Sequence, residues 1–322
     1  MSTFSRVVVL GTGGTIAGRA ASAGDNIGYT AAEVGVAQLL AGVDAPAGVT
    51  LAAEQVSQVD SKDMSFDIWR RLADRCAAWL AEPDVAGVVI THGTDTLEET
   101  AYFLQSVLAP DKPVVLTCAM RPATALAPDG PQNLRDAIVV AATAGARGVV
   151  AVCAGTVHAA ADVQKVHTYR LDAFDSGDAG PLGYVEEGEV RRLREWPAVD
   201  ASARQRFETM LAAPAWPRVE ILVSHADARG TIVDALLLAR RQGEVEAVEG
   251  LVLAATGNGT LHRSLEEAAL RAQADGVAVL RATRCMQGRI LPRPNEKLRD
   301  AGALTPVKAR IALMLELLKS PA

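Results

Sequence analysis

Four short segments hold residue types suited to activating a nucleophile. The first, Gly11-Thr-Gly-Gly-Thr15-Ile-Ala-Gly18, sets two threonine hydroxyls among glycines directly after an apolar run. Such a turn exposes backbone N–H groups and lets a ligand come close. It fails as a dinucleotide fingerprint because Ile16 stands where a third glycine is needed. It fails as a phosphate loop because Arg19-Ala20 follows Gly18 in place of Lys-Ser/Thr. A tight turn and an active-site loop account for the segment equally well. The second, Ile90-Thr-His-Gly-Thr94-Asp95-Thr-Leu-Glu98-Glu99, puts a hydroxyl beside a carboxylate, a pairing suited to activating a nucleophile or water. Asp95 with Glu98 also reads as a helix capping box, and His92 reads more readily as a hydrogen-bonded structural histidine than as a base.

In the third, Val59-Asp60-Ser61-Lys62-Asp63-Met64, Ser61 and the free N–H groups of a turn suit a substrate carboxylate. Helix capping by Asp63 or Ser65 is the plainer account. The fourth is Lys165, within Ala161-Asp162-Val-Gln-Lys165-Val-His167. A lone lysine is ordinarily a solvated surface charge. Buried beside Asp95, it would instead serve as a desolvated amine able to take a threonine proton.

The elements that must position these groups follow from periodicity. Arg6–Leu10, Ala86–Thr91, Pro113–Cys118 and Gly148–Cys153 read as buried strands. Phe66–Leu80, Leu97–Leu108 and Leu134–Ala144 carry helical spacing between them. Strands alternating with helices imply a mostly parallel sheet, with the loops after the strands gathered at one edge. Those loops are 11–30, 57–65, 92–96 and 119–133. After the charged run Glu186–Glu195 and the Trp-Pro punctuation beyond it, strands are expected at Val219–Ser224, Gly250–Ala254 and Gly276–Leu280. Helices are expected at Ile232–Gln242, Ser264–Ala274 and Pro306–Leu318. The expected fold class is α/β: a larger N-terminal domain over 1–190, its mostly parallel sheet flanked by helices, a solvated linker over 191–217, and a smaller C-terminal α/β domain over 218–322.

Composition narrows the classes of function. The chain has 322 residues, 49% hydrophobic and 22% charged, which excludes disorder and leaves ample length for a core. With 32 basic against 38 acidic residues and no basic stripe, nucleic-acid binding is not expected. The apolar run Val7–Leu10 is too short for a signal-peptide core, and nothing reaches the length of a membrane span. Cys76, Cys118, Cys153 and Cys285 are scattered, without zinc or disulfide spacing, so a reducing cytoplasm is the expected location.

The four segments occur together and in order, and the text around them closely resembles the bacterial-type L-asparaginases, threonine amidohydrolases of the asparaginase/glutaminase fold. The matching runs are Thr12–Gly18, Asp60–Met64 and Thr91–Thr96 with Glu98–Phe103. Lys112–Val115, Ala119–Pro122, Asp129–Pro131 with Asn133, Gly180–Tyr184, Gly257–Gly259 and Lys308–Arg310 add to them, so the similarity covers nearly the whole chain. The resemblance implies hydrolysis of L-asparagine to L-aspartate and ammonia through a covalent acyl-enzyme, with minor glutaminase activity and neither metal nor cofactor. It implies Thr15 as nucleophile supported by Tyr29 on a mobile loop, and Thr94, Asp95 and Lys165 as a second set that activates the nucleophile or water. Ser61 and Asp95 would hold the substrate's α-carboxylate and α-amino groups, and the backbone of Ala119 the amide being cleaved.

Two departures bear on substrate. Lys62 follows the binding serine where many members carry Gln, so Lys62→Gln is expected to change the asparagine-to-glutamine preference. In the second domain the family completes a neighbour's site with an Asn or Ser and a Glu. Here Thr260 and Glu296 are the candidates, which implies a homodimer or homotetramer with sites near subunit interfaces. Competing readings are an amidase of the same fold acting on another amide, and a non-catalytic amino-acid-binding protein. Binding alone needs neither threonine hydroxyl.

Overall fold

The computed structural model describes residues 5–243 and 246–319. Met1–Phe4, part of the N-terminal stretch read for a leader, lie outside the described residues. The chain divides into two compact units, 1–207 and 208–322.

The first unit holds β1 (Ser5–Gly13), α1 (Val36–Leu40), β2 (Val49–Val59), α2 (Phe66–Leu80), β3 (Val85–Thr91), α3 (Leu97–Leu108), β4 (Pro113–Thr117), α4 (Gly130–Ala142) and β5 (Gly148–Cys153). Five short strands follow: β6 (Thr156–Ala159), β7 (Gln164–Lys165), β8 (Phe174–Asp175), β9 (Gly183–Glu186) and β10 (Glu189–Arg192). Eight of these strands form one sheet in the order β10-β9-β6-β5-β4-β3-β1-β2. Strands β1 to β5 are mutually parallel, and β6, β9 and β10 extend the sheet antiparallel.

Register explains the core. Val9, Val89, Val115 and Val150 stand in one row across four strands, facing Leu134, Ala137, Ile138 and Ala141 of α4. Leu10, Ile90, Leu116 and Ala151 form the next row, on the opposite face because successive side chains alternate. Both faces are covered, so these strands read as unbroken apolar runs. Helix α2 begins where Ser65 accepts a hydrogen bond from Ile68 N–H and buries Ile68, Trp69, Leu72, Ala73 and Cys76, the stripe that periodicity predicts. Helix α4 starts at Gly130, before the expected Leu134, because Pro131 is well suited to a first turn.

The charged segment does not behave as a solvated linker. Glu186 and Arg191 pair across the β9–β10 hairpin, so part of the expected 191–217 tether is sheet. Trp196 is 6% exposed and joins the core of the first unit, because an indole gains more from burial than a tether position offers. A further helix, α5 (Ala203–Ala212), lies within the same expected linker.

The second unit contains β11 (Val219–Val223), α6 (Thr231–Arg241), β12 (Gly250–Ala255), α7 (Arg263–Ala274), β13 (Ala278–Thr283), β14 (Arg299–Asp300) and α8 (Pro306–Leu317). Its four strands are parallel in sequence order. Strand β13 starts beyond the expected Gly276 because that glycine has φ +81°, a turn conformation. No described helix is long and apolar enough to cross a membrane.

Candidate active site

Parallel strands β1, β2, β3 and β4 deliver their following loops to one sheet edge, as expected. Gly11 is level with Thr91, and Thr91 with Thr117, so Thr15, Thr94 and Ala119 leave from neighbouring strand ends. Two glycine-dependent approaches then close the loops together. A Cβ on Gly14, whose φ is +80°, would strike the backbone of Gly93. A Cβ on Gly93 would strike the Ser61 side chain. The next residues along these two touching strand ends are Thr15 and Thr94.

Thr15 is 6% exposed and its Oγ1 lies 2.6 Å from Tyr29 Oη. Tyr29 arrives on the 18–30 loop, which is closed at its base by paired hydrogen bonds of 2.9 Å between Arg19 and Thr30. The Tyr29 ring lies so close to Gly18 that a Cβ there would collide with it. Loop 18–30 therefore holds the phenol directly against the threonine hydroxyl.

Lys165 lies on β7, a two-residue strand. Its Nζ donates to Thr94 Oγ1 at 2.8 Å and to Asp95 Oδ1 at 2.6 Å, and its backbone N–H donates to Glu98 Oε2 at 2.9 Å. Both acidic residues of the supposed capping box are thus turned to Lys165. Helix α3 is capped at Thr96 without a side-chain hydrogen bond. The Lys165 side chain is 19% exposed, which overrides the prior for a solvated surface lysine. Ser61 is buried; its Oγ accepts from Asp95 N–H at 3.2 Å and its carbonyl accepts from Thr96 Oγ1 at 2.8 Å. Asp60 and Ser65, not Ser61, do the local capping, which leaves Ser61 for the cluster.

His92 is structural. A relay runs from Trp69 Nε1–H to Thr100 Oγ1 at 2.8 Å, from the Thr100 hydroxyl to His92 Nε2 at 2.9 Å, and from His92 Nδ1 to the Gly93 carbonyl at 2.7 Å. Every donor and acceptor in that chain is used once by a neutral imidazole carrying its proton on Nδ1. Complete burial pulls the His92 pKa down to about 4. The relay fixes the carbonyl of Gly93, the residue on which the loop closure depends. Trp69 and Thr100 lie 31 residues apart, and no local spacing signals their pairing.

Ala119 is fully buried just after β4, in a turn held on both sides. Asn133 Nδ2 donates to the Cys118 carbonyl at 2.9 Å, and Asp129 accepts from Met120 and Arg121 N–H at 2.9 Å each. Lys62 does not join the cluster through its ammonium. That group pairs with Asp60 at 2.7 Å and Asp63 at 3.2 Å, which hold its pKa above the ordinary lysine value.

In the second unit, Thr260 Oγ1 lies 2.9 Å from Thr256 Oγ1 across a tight turn. Glu296 Oε2 lies 2.9 Å from Arg281 Nη1, and the same nitrogen donates to the Gly259 carbonyl at 3.0 Å. Arg281, 5% exposed, therefore gathers Glu296 and the Thr260 turn; the sequence carries no spacing that announces it.

Comparison with known proteins covers nearly the whole chain. Residues 6–198 match the family model described as Asparaginase, N-terminal, and residues 218–321 match the Glutaminase/Asparaginase C-terminal domain. The chain belongs to the asparaginase family. That family is one of amidohydrolases. Among asparaginase relatives, the glutaminase-asparaginase of Pseudomonas fluorescens biotype A is 37% identical over 98% of this chain and 87% of its own length. The L-asparaginase 2 of Escherichia coli K12 is 37% identical over 97% of this chain and 88% of its own. A crystal structure of a probable cytoplasmic L-asparaginase from Campylobacter jejuni superposes with a TM-score of 0.86 at 35% identity, covering 98% of this chain and 96% of that one.

Proposed function

We propose that this asparaginase-family protein hydrolyses the side-chain amide of L-asparagine, giving L-aspartate and ammonia, with minor activity on L-glutamine. The observation that carries the reading is the meeting of two hydroxyl systems, Thr15–Tyr29 and Thr94–Asp95–Lys165, through the Gly14–Gly93 contact. A binding protein has no use for two polarised threonines. Thr15 attacks the amide carbon, and Tyr29, 2.6 Å from Thr15 Oγ1, takes up the hydroxyl proton as it passes its own on toward the amide nitrogen. The tetrahedral intermediate expels ammonia and leaves an ester on Thr15.

Water then cleaves the ester. Lys165 donates to Thr94 Oγ1, which makes the Thr94 hydroxyl a better proton carrier, and Asp95 fixes the ammonium. Ser61 and Asp95 receive the α-carboxylate and α-amino groups, the Ala119 backbone receives the amide, and Lys62 acts through the turn it shares with Ser61. Thr260 and Glu296 complete the site of a neighbouring copy in a homodimer or homotetramer. A cytoplasmic location is supported by the likeness to the probable cytoplasmic L-asparaginase of Campylobacter jejuni.

The test is ammonia release from L-asparagine and L-glutamine by the purified protein and its Thr15→Ala variant. Faster release from asparagine, lost in the variant, is expected. Equal release from the variant, or no release from either amide by the folded parent, would move the activity to another substrate.

A further inference from the structure

Cys118 and Cys153 are 35 residues apart in sequence, yet their sulfurs lie 3.3 Å from one another, inside contact distance for two sulfur atoms. Both thiols are buried and free, and amide hydrolysis as read above uses neither. Register explains the meeting. Thr117 of β4 is level with Val152 of the parallel strand β5, so the next residues, Cys118 and Cys153, reach the loop edge side by side. Parallel neighbours run ~4.7–4.9 Å apart, within the roughly 4.4–6.8 Å between Cα atoms that a disulfide spans. Asn133 ties the two strand ends together: its Nδ2 donates to the Cys118 carbonyl at 2.9 Å and its Oδ1 accepts from Ala154 N–H at 3.0 Å. Ala119 follows Cys118 directly, and Ala154, which follows Cys153, is exposed, so the pair ends one residue short of solvent. The hydrogen bond with Cys153 and burial push the Cys118 thiol well above its ordinary pKa, while Lys165 pulls it down. Cys118 therefore keeps its proton and offers it to the Cys153 sulfur, and the pair lies within electrostatic reach of the amine at the site.

We propose that Cys118 and Cys153 form a reversible oxidation site, closed to a disulfide by a peroxide and reopened by a thiol reductant, and that closure slows amide hydrolysis by moving the Cys118–Ala119 backbone. The slowing rests on the reading of Ala119 as the seat of the amide; the oxidation site does not. The deprotonated Cys153 sulfur attacks one peroxide oxygen, the O–O bond breaks, and hydroxide leaves to become water, which makes Cys153 a sulfenic acid. The Cys118 sulfur then attacks the Cys153 sulfur, the S–O bond breaks, and the second oxygen leaves as water with the Cys118 proton. Two thiols lose two electrons and one peroxide gains them, giving one disulfide and two waters. The sulfurs must close from 3.3 Å to about 2.05 Å. Asn133 and the adjoining strands hold both strand ends, so the adjustment reaches the backbone of Ala119, where a misplacement of ~1 Å costs about 10²-fold.

The test uses the full chain carrying Cys285→Ser, which removes the exposed thiol and leaves Cys76, Cys118 and Cys153. The protein is treated with hydrogen peroxide, digested without reductant and mapped by mass, with and without later dithiothreitol. A linked Cys118–Cys153 peptide pair, two hydrogens lighter than the reduced peptides, is expected, and titratable thiols should fall from three to one. The same treatment is expected to lower kcat/KM for L-asparagine at least about tenfold, and dithiothreitol to restore it. Methionine oxidation is not reversed by dithiothreitol and so is told apart. Cys153→Ala in this background should lose both the link and the reversible loss of activity; Cys118→Ala serves equally where Cys153→Ala does not fold. No linked pair, or a sulfinic acid at Cys153 in its place, would overturn the proposal. A linked pair with unchanged kcat/KM would overturn the coupling to the site. The link is read by mass whether or not the untreated protein releases ammonia, so failure of the oxidation site and failure of the amidase reading are distinguishable.

Discussion

Replacing Gly93 by alanine adds one methyl group at the point where three loops meet. Gly93 is not among the positive-φ residues, so alanine meets no backbone penalty and the whole effect is steric. The new Cβ would fall on Ser61 Oγ, 2.7 Å from Ser61 Cβ and 3.1 Å from Gly14 Cα. Overpacking of this kind costs about 1–3 kcal/mol. Displacing Ser61 also breaks its bond from Asp95 N–H, which adds about 1 kcal/mol. The expected loss is therefore about 2–4 kcal/mol, read as a lower denaturation midpoint at constant slope. The larger effect is on turnover, because the intrusion separates Thr15 from Thr94, and a misplacement of ~1 Å costs about 10²-fold. Ser61→Gly in the same background removes the clash with Ser61 and is expected to recover part of the midpoint, the bond from Asp95 N–H staying lost, while substrate affinity stays low for want of the serine. A Gly93→Ala protein with the parent's midpoint and the parent's ammonia release would refute the loop-closure account.

Three further outcomes are expected. Lys165→Met removes both donors to Thr94 and Asp95 and is expected to lower kcat by about 10²–10⁴ in a folded protein; retention of kcat would take Lys165 out of the chemistry. His92 has a native pKa near 4 and an unfolded value near ~6.5, so the unfolded chain binds the proton first. Its contribution is fully present above pH ~6.5 and declines by up to about 3 kcal/mol as pH falls toward ~4. Denaturation midpoints across that window should show the decline, and His92→Gln should flatten it. If neighbouring copies share sites through Thr260 and Glu296, mixing Thr15→Ala with Glu296→Ala chains regenerates some intact sites, and co-refolded mixtures are expected to exceed either parent variant in ammonia release; additive activity would deny the sharing.

The buried parallel strands were legible because both of their faces are apolar, and α2 and α3 were legible to the residue because their stripes are clean. Strand β2 escaped notice because it is an edge strand with polar positions, its Glu54 holding Arg75 and Trp79 from outside the core. The Glu186–Glu195 run misled because charge density alone does not separate a tether from a hairpin whose charges pair across it. At the site, residue types pointed to Thr15, Thr94 and Asp95. Lys165 depends on contacts some 70 residues away in sequence, so its local sequence read more readily as a solvated charge than as a partner of Thr94 and Asp95. The capping-box pattern at Asp95 and Glu98 was a true local signal that tertiary structure overrode, since both carboxylates reach Lys165 instead. Lys62 shows the reverse: its position beside Ser61 suggested substrate contact, and two adjacent aspartates hold its ammonium.

The central claim is that Thr15 carries the acyl group. Acid-quenching the protein during turnover of L-asparagine, followed by peptide mass analysis, tests it most directly. The account predicts an aspartyl ester on the peptide containing Thr15, absent from Thr15→Ala. An ester on Thr94 instead, or full turnover by Thr15→Ala, would contradict it.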